Sequence, residues 1–365
     1  MEAMSKMRRK AKSKAKTKAK PRGKAAARAQ AVTNPKSKIA KAGLDGPLYL
    51  TEDDVQKLVT VKHAIATLEH LFATWGDPST INLPRQRARA GQGSFNLMGA
   101  AWGPKQLFGL KSYYGGGNAD GGRYHVLLYS AADGKLLAMI ESDSLGQMRT
   151  GAASGLATKL LAKPDARILG VIGAGRQAFT QVAAVCAVRP IKAVSVFTRT
   201  PEHRETFARK IERDLRIAAT AAPSGEAAVG DADVVITITK SAEPVLRANW
   251  LKPGVHVNAA GANSPLRREI DAETVLRATV RATDQVAQAK EEASEYRDLV
   301  AAGRLHWPDI VELGDLVTGR AVGRRGQADV TLFKSLGIAL EDIAFADLIV
   351  RRAKEKRIGK PMPSP

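Results

Sequence analysis

From Ala166 to Asp284 the chain alternates short apolar runs with helix-like segments, and the first turn of that alternation reads Gly173-Ala174-Gly175-Arg176-Gln177-Ala178. The runs ARILGVIG, AVSVFTR, RIAATAA, DVVITIT, VHVNAAG and TVRATD are nearly continuous in apolar residues. That suits strands of a parallel sheet covered by helices on both faces. The pattern predicts a Rossmann-type, doubly wound α/β domain over residues 156–318. The G-x-G-x-x-A form follows directly on the first strand and opens a helix. Its first glycine permits a tight turn, and its second lets a pyrophosphate approach the backbone. The helix N-terminus adds amide donors and a positive dipole end. Gly173, Gly175, Arg176, Gln177 and Ala178 are therefore expected to bind a dinucleotide.

The end of the next strand sharpens the cofactor. NAD-preferring sites place an acid there, about 20 residues on, to hold the ribose 2′-hydroxyl. Here that strand ends in Thr198, Arg199 and Thr200, with no acid. A guanidinium and two hydroxyls suit a 2′-phosphate, so NADP(H) is the expected cofactor and NAD(H) the alternative.

Ahead of this domain, residues 44–155 read differently. LTEDDVQKLVTVKHAIATLEHLFATWG has helical spacing, with Thr51 as N-cap and acids in the first turn. Five β-like runs follow, from INLPRQRAR to KLLAMIES, separated by Gly-rich or Asp-Gly turns, which predicts an antiparallel sheet. A long helix is expected next, capped by Ser144. After residue 319 the chain is expected to return to this first part as a strand feeding a long helix. The two ends, 44–155 and 319–365, would thus form one discontinuous α+β substrate and dimerisation domain.

The charge is unevenly spread. Residues 1–42 hold fifteen Lys or Arg and one acid, Glu2, and so supply +14 of the net +21. This Lys/Ala-rich stretch lacks aromatic residues and is expected to be a disordered basic tail over 1–43, capable at most of loose polyanion contact. The body is only mildly basic, which argues against nucleic acid as its main partner. The single cysteine, Cys186, excludes an internal disulfide framework and a cysteine-rich zinc site, and suits a reducing, cytoplasmic setting. No apolar run approaches the length of a membrane span. The six histidines show no metal-ligand spacing, and no nucleophile elbow or P-loop is present.

At this point the chain resembles the ornithine cyclodeaminase/mu-crystallin family. The resemblance spans about residues 48–360 and rests on GLKSYY, GQMRTGAASGLATKLLA, GVIGAGRQA, WLKPGVHVNAAGANSPLRREID, ELGDLVTGR and DVTLFKSLGIALEDIAFA. It implies a homodimer, a small amino- or imino-acid substrate, and hydride transfer at an amino-acid Cα–N bond. It further implies that Arg85, Lys111 and Arg149 bind substrate. Arg85 and Arg149 would then hold the carboxylate while Lys111 polarises or protonates the substrate. It places Arg149, Thr150, Thr239, Ser241, Ala260, Gly261, Ser335 and Leu336 along the dinucleotide. The residue chemistry agrees, because an α-imino acid needs cationic anchors and a proton source near nitrogen.

One departure matters. Ornithine cyclodeaminases carry an Asp as base in the G-x-D-x-P-G-K segment, where this chain has Asn263, and Arg267 replaces the Lys. An amide cannot take a proton, so the lyase reaction lacks its base. The expected activity is thus an NAD(P)H-dependent imine reductase or amino-acid dehydrogenase. Ornithine cyclodeaminase is the alternative, and a non-catalytic, crystallin-like NADPH-binding protein the second alternative.

Overall fold

The computed structural model describes residues 46–115 and 123–363. The expected disorder and polyanion contact of the N-terminal tail lie outside the described residues. The first half builds strands β1 (Leu48–Leu50), β2 (Thr80–Ala90), β3 (Gly93–Trp102), β4 (Leu107–Gly115), β5 (Tyr124–Ser130) and β6 (Leu136–Glu141). The second half builds β7 (Ile168–Ile172), β8 (Ala193–Phe197), β9 (Ala218–Ala221), β10 (Val234–Thr237), β11 (His256–Ala259), β12 (Val280–Thr283), β13 (Ile310–Glu312) and β14 (Thr331–Lys334), and β15 (Lys360–Pro361) follows near the C-terminus.

Two sheets result. One has the order β15-β1-β6-β5-β4-β3-β2 and is antiparallel from β6 to β2. The other is wholly parallel, with the order β13-β12-β14-β11-β10-β7-β8-β9. Strand order reverses beside β7, which is where a doubly wound sheet opens a crevice. One apolar core lies between the antiparallel sheet and the helices Glu52–Leu58, Val61–Phe72, Asp143–Leu161 and Ala339–Lys356; two more flank the parallel sheet.

The structure corrects several local readings. The expected first helix is two, Glu52–Leu58 and Val61–Phe72, each with its own capping box at Thr51 and Thr60. Thr60 side-chain capping offers the backbone a fresh start, and a β-branched pair, Val59-Thr60, does nothing to resist the break. The long helix starts at Asp143, one residue before the expected Ser144 cap. Its first amides donate to the Glu52 carboxylate from another helix, Ser144 N to Oε2 at 2.8 Å. The strand Thr331–Lys334, expected in the first domain, instead pairs between β11 and β12 of the parallel sheet. Its residues are buried on both faces, and only a covered parallel sheet provides for that.

Helix Asp143–Leu161 is buried nearly all round and carries Gly146, Gly151, Ala152, Ala153, Ser154, Gly155 and Ala157. Small residues let it touch the helix Ala178–Val188 that follows the glycine loop. A Cβ on Gly151 would stand 2.5 Å from the Thr180 carbonyl oxygen. No helix among the described residues is long and apolar enough to cross a membrane. Replacing Gly151 by Val should force these two helices apart. Urea unfolding is expected to show a loss of about 1–3 kcal/mol or more, as overpacking costs in tight cores.

Candidate active site

A cleft of about 850 Å³ lies between the two sheets. One wall is the antiparallel sheet, with Arg85 and Arg87 from β2, Asn96 and Met98 from β3, and Lys111 and Tyr113 from β4. The other wall is formed by the loops that follow β7, β8, β10, β11 and β14. Of the candidate binding and catalytic residues named from the sequence, all but Ala178 and Thr200 line this one cleft. Ala178 is fully buried in the core beneath the sheet, because it is already helical and faces inward. Thr200 sits exposed as the N-cap of the helix Pro201–Leu215.

Lys111 stands between Met98 on β3 and Val126 on β5, its cross-strand neighbours, and is 4% exposed. Its Nζ donates to Asp342 Oδ1 at 2.8 Å, and Arg149 Nε donates to the same oxygen at 3.0 Å. Arg149 Nη1 also donates to Glu341 Oε2 at 3.1 Å. Both carboxylates are fully buried on the helix Ala339–Lys356. Burial pushes the Lys111 ammonium down to about 8 against the pull of Asp342. Burial acts to raise Asp342 as well, but Arg149 and Lys111 outweigh it and hold that carboxyl below its ordinary value. Burial and the neighbouring Asp284 push Glu341 well above its ordinary value, against the pull of Arg149.

Arg85 enters the cleft because β2 bulges between Leu83 and Gln86, around Pro84. Its guanidinium is nearly saturated. Nη1 donates to both oxygens of Glu292, at 2.9 and 2.8 Å, and Nη2 to the carbonyls of Leu336 and Gly337, at 3.0 and 2.9 Å. Only Nε lacks a partner among the described residues. Arg85 thus ties β2 to the helix Val286–Glu292 and to the loop after β14, which leaves little of it for a carboxylate. Arg87, 32% exposed along its side chain, also pairs with Glu292 and donates from Nη2 to the Asn263 carbonyl at 2.7 Å. The Asn263 side chain makes no hydrogen bond among the described residues and lines the cleft.

The glycine loop has the shape a pyrophosphate requires. Gly173 has φ +113°, and a Cβ there would lie 2.5 Å from the Ile238 carbonyl oxygen. A Cβ on Gly175 would meet nothing within 4 Å, so open space adjoins this loop just before the helix Ala178–Val188. These residues fit a dinucleotide. Arg176 does not reach into that space freely. It pairs with Asp143, and its Nη2 donates to the Tyr124 hydroxyl at 2.9 Å. Thr198 and Arg199 lie at the end of β8, with Arg199 exposed. Ser335 is buried with its hydroxyl unpartnered among the described residues, next to Leu336 and Gly337, whose amides donate to Asp284.

Sequence reading missed Asp342, Glu341, Glu292, Asp284 and Arg87. One signal was available. In SLGIALEDIAFA two acids sit in a helical stretch whose every other face is apolar, which marks them as buried charges needing partners. A helical Gly146 gave no such signal. A Cβ there would stand 2.8 Å from Lys111 Nζ, the movable end of a long side chain. Gly146→Ala should therefore displace the ammonium from Asp342 without unfolding the chain. A crystal structure of the variant is expected to show the hydrogen bond between Lys111 Nζ and Asp342 Oδ1, 2.8 Å long in the unaltered chain, broken. Unfolding free energy should fall, because breaking a buried pair outweighs the roughly 1 kcal/mol or less that alanine adds to the helix.

Comparison with known proteins points in one direction. The family model described as "Ornithine cyclodeaminase/mu-crystallin family" matches residues 47–357. A Δ1-pyrroline-2-carboxylate reductase of Bacillus cereus is 36% identical over 236 residues, 64% of this chain and 72% of that protein. Among solved structures, Thermococcus litoralis Δ1-pyrroline-2-carboxylate reductase in complex with NADH and L-proline superposes with a TM-score of 0.83. It is 31% identical, and the match covers 86% of this chain and all of that one. An archaeal alanine dehydrogenase dimer with bound NAD gives a TM-score of 0.81 at 29% identity, covering 87% of this chain and 99% of that one.

Proposed function

Because the chain belongs to the ornithine cyclodeaminase/mu-crystallin family, we propose that it is an NAD(P)H-dependent reductase of an α-imino acid, with a cyclic ketimine such as Δ1-pyrroline-2-carboxylate as substrate class. The observation that carries this reading is the buried group of Lys111, Arg149 and Asp342 facing a glycine loop shaped for a dinucleotide. Arg149 holds the substrate carboxylate through Nη2, which is unpartnered among the described residues, while its other nitrogens are fixed on Asp342 and Glu341. Lys111 Nζ keeps a proton toward the imine nitrogen and delivers it as the C–N bond is reduced. The reduced nicotinamide, when bound, supplies the hydride to Cα. Arg85 orients the wall and contributes at most through Nε. The reverse reaction, oxidation of the matching amino acid, uses Lys111 as proton acceptor.

Asn263 separates this reading from the cyclodeaminase one. Its amide offers no base, so a route that must deprotonate an amine or a water at that position is not served. The cofactor reading is NADP(H). The end of β8 carries Arg199 and hydroxyls and no acid, and it leads into the N-terminus of the 15-residue helix Pro201–Leu215, whose dipole favours a phosphate. The chain works as a homodimer. The outward face of the antiparallel sheet exposes Ile81, Leu83, Phe95, Leu97 and Phe108, an apolar patch that a second copy would cover. A cytoplasmic, reducing setting suits Cys186, whose thiol is pushed up to about 12 by burial and is unreactive.

The decisive assay follows nicotinamide absorbance with NADPH or NADH and Δ1-pyrroline-2-carboxylate, beside ammonia release from ornithine with NAD. Cofactor oxidation without ammonia is the expected result. Ammonia and proline with no net change in cofactor would overturn the reading. Lys111 donates only while protonated, so kcat/KM for reduction should hold at lower pH and fall as pH rises through about 8. Lys111→Met should cost about 10²–10⁴-fold in kcat and abolish that limb. Arg199→Ala should raise KM for NADPH by about tenfold while leaving KM for NADH within a factor of about two; equal effects on both would return the preference to NAD(H).

A further inference from the structure

Glu269 lies outside the reacting group and makes an unusual set of contacts. It is fully buried, and its two carboxylate oxygens accept four hydrogen bonds. Oε1 accepts from Thr239 N at 2.6 Å and from Thr239 Oγ1 at 2.9 Å. Oε2 accepts from Gly261 N at 2.6 Å and from Ala262 N at 3.1 Å. One carboxylate therefore joins the loop after β10 to the loop after β11. Both loops line the cleft. The second of them, residues 261–269, also carries Asn263 to its contact with Arg87.

The carboxylate is itself held in place. Glu269 N donates to Glu295 Oε1 at 3.0 Å, and the same oxygen accepts from the fully buried Lys334 Nζ at 3.1 Å. Lys334 closes β14 and immediately precedes Ser335 and Leu336 on the cleft wall. Glu269 has no room to act as a base, since four donors occupy both oxygens. Nor do the loop amides it engages have an alternative among the strands, because they lie past the ends of β10 and β11 where the sheet ladder stops. Even the spacing is tight. A Cβ on Gly261 would stand 2.2 Å from Thr239 N and 2.6 Å from Glu269 Oε1.

We propose that Glu269 is the positioning residue of the dinucleotide cleft: by fixing Thr239 and Gly261 to one another across the ends of β10 and β11, it sets cofactor affinity and the placement of the nicotinamide over the substrate. The proposal rests on the dinucleotide reading of this cleft. Replacing Glu269 by Gln turns one acceptor oxygen into a donor facing backbone amides, which releases at least one loop. A misplacement of about 1 Å at such a site costs up to about 10²-fold in turnover.

The test measures NADH and NADPH affinity by nicotinamide fluorescence, together with kcat, both KM values and thermal unfolding, for the full chain and Glu269→Gln. The expected variant is folded, binds dinucleotide at least about tenfold more weakly, loses kcat, and keeps KM for the imino acid within about twofold. A folded variant with lowered Tm but unchanged dinucleotide affinity and kcat would overturn the proposal, since that is the signature of a structural role alone. If the unaltered chain binds neither dinucleotide, the reading beneath the proposal fails instead. Should Glu269→Gln not fold, Thr239→Val and Thr239→Ser read the same bond. Val, lacking the hydroxyl donor, should weaken binding several-fold while Ser retains it. Equal affinities would overturn the proposal.

Discussion

Asp342 receives a lysine from a strand and an arginine from a helix, out of reach of water, and one side of the cleft is organised around that one carboxylate. An unpaired ammonium or guanidinium in so apolar a place would be very costly, and an unpaired carboxylate equally so. Each member therefore holds the others to one geometry. β4, helix Asp143–Leu161 and helix Ala339–Lys356 meet where those charges meet. Gly146 completes the arrangement by leaving space for the Lys111 ammonium. Burial, which makes the cluster rigid, also moves Lys111 to about 8, where it can exchange a proton near neutral pH.

The opposite wall faces a different problem. Loops that run past the ends of parallel strands leave amides without ladder partners, and buried amides must be satisfied. Glu269 and Asp284 meet that need from within the protein, Glu269 for residues 239, 261 and 262, and Asp284 for residues 336 and 337. Arg85 and Glu292 then connect the two walls, because Arg85 spans from β2 to the helix Val286–Glu292 and to the carbonyls of residues 336 and 337. The cleft is thus framed by acids and bases paired across elements that lie far apart in sequence.

Much of the fold was legible because its cause is local. The alternation after Ala166, the glycine turn at 173–175 and the Thr51 cap each depend on residues within one turn or one strand of each other. Readings failed where a distant partner decided the outcome. Ser144 looked like a cap, yet Glu52 from another helix takes the amides. The strand Thr331–Lys334 is buried throughout, yet nothing in its four residues says which sheet will accept it. In the same way the partners of Arg85 could not be read from the chain: Glu292, 207 residues away, takes its Nη1, and the carbonyls of residues 336 and 337 take its Nη2.

By itself the sequence determined the parallel sheet, the glycine turn at its first crossover, the family, and the presence of Lys111 and Arg149 in runs with no solvent face for them. It could do so because backbone sterics, strand and helix periodicity and a glycine's missing Cβ act over a few residues. Only the tertiary structure decided which charges neutralise which. Asp342 is 231 residues from Lys111 and 193 from Arg149. A buried ion pair depends on distance in space and on the exclusion of water, and neither is encoded in the spacing of residues along the chain.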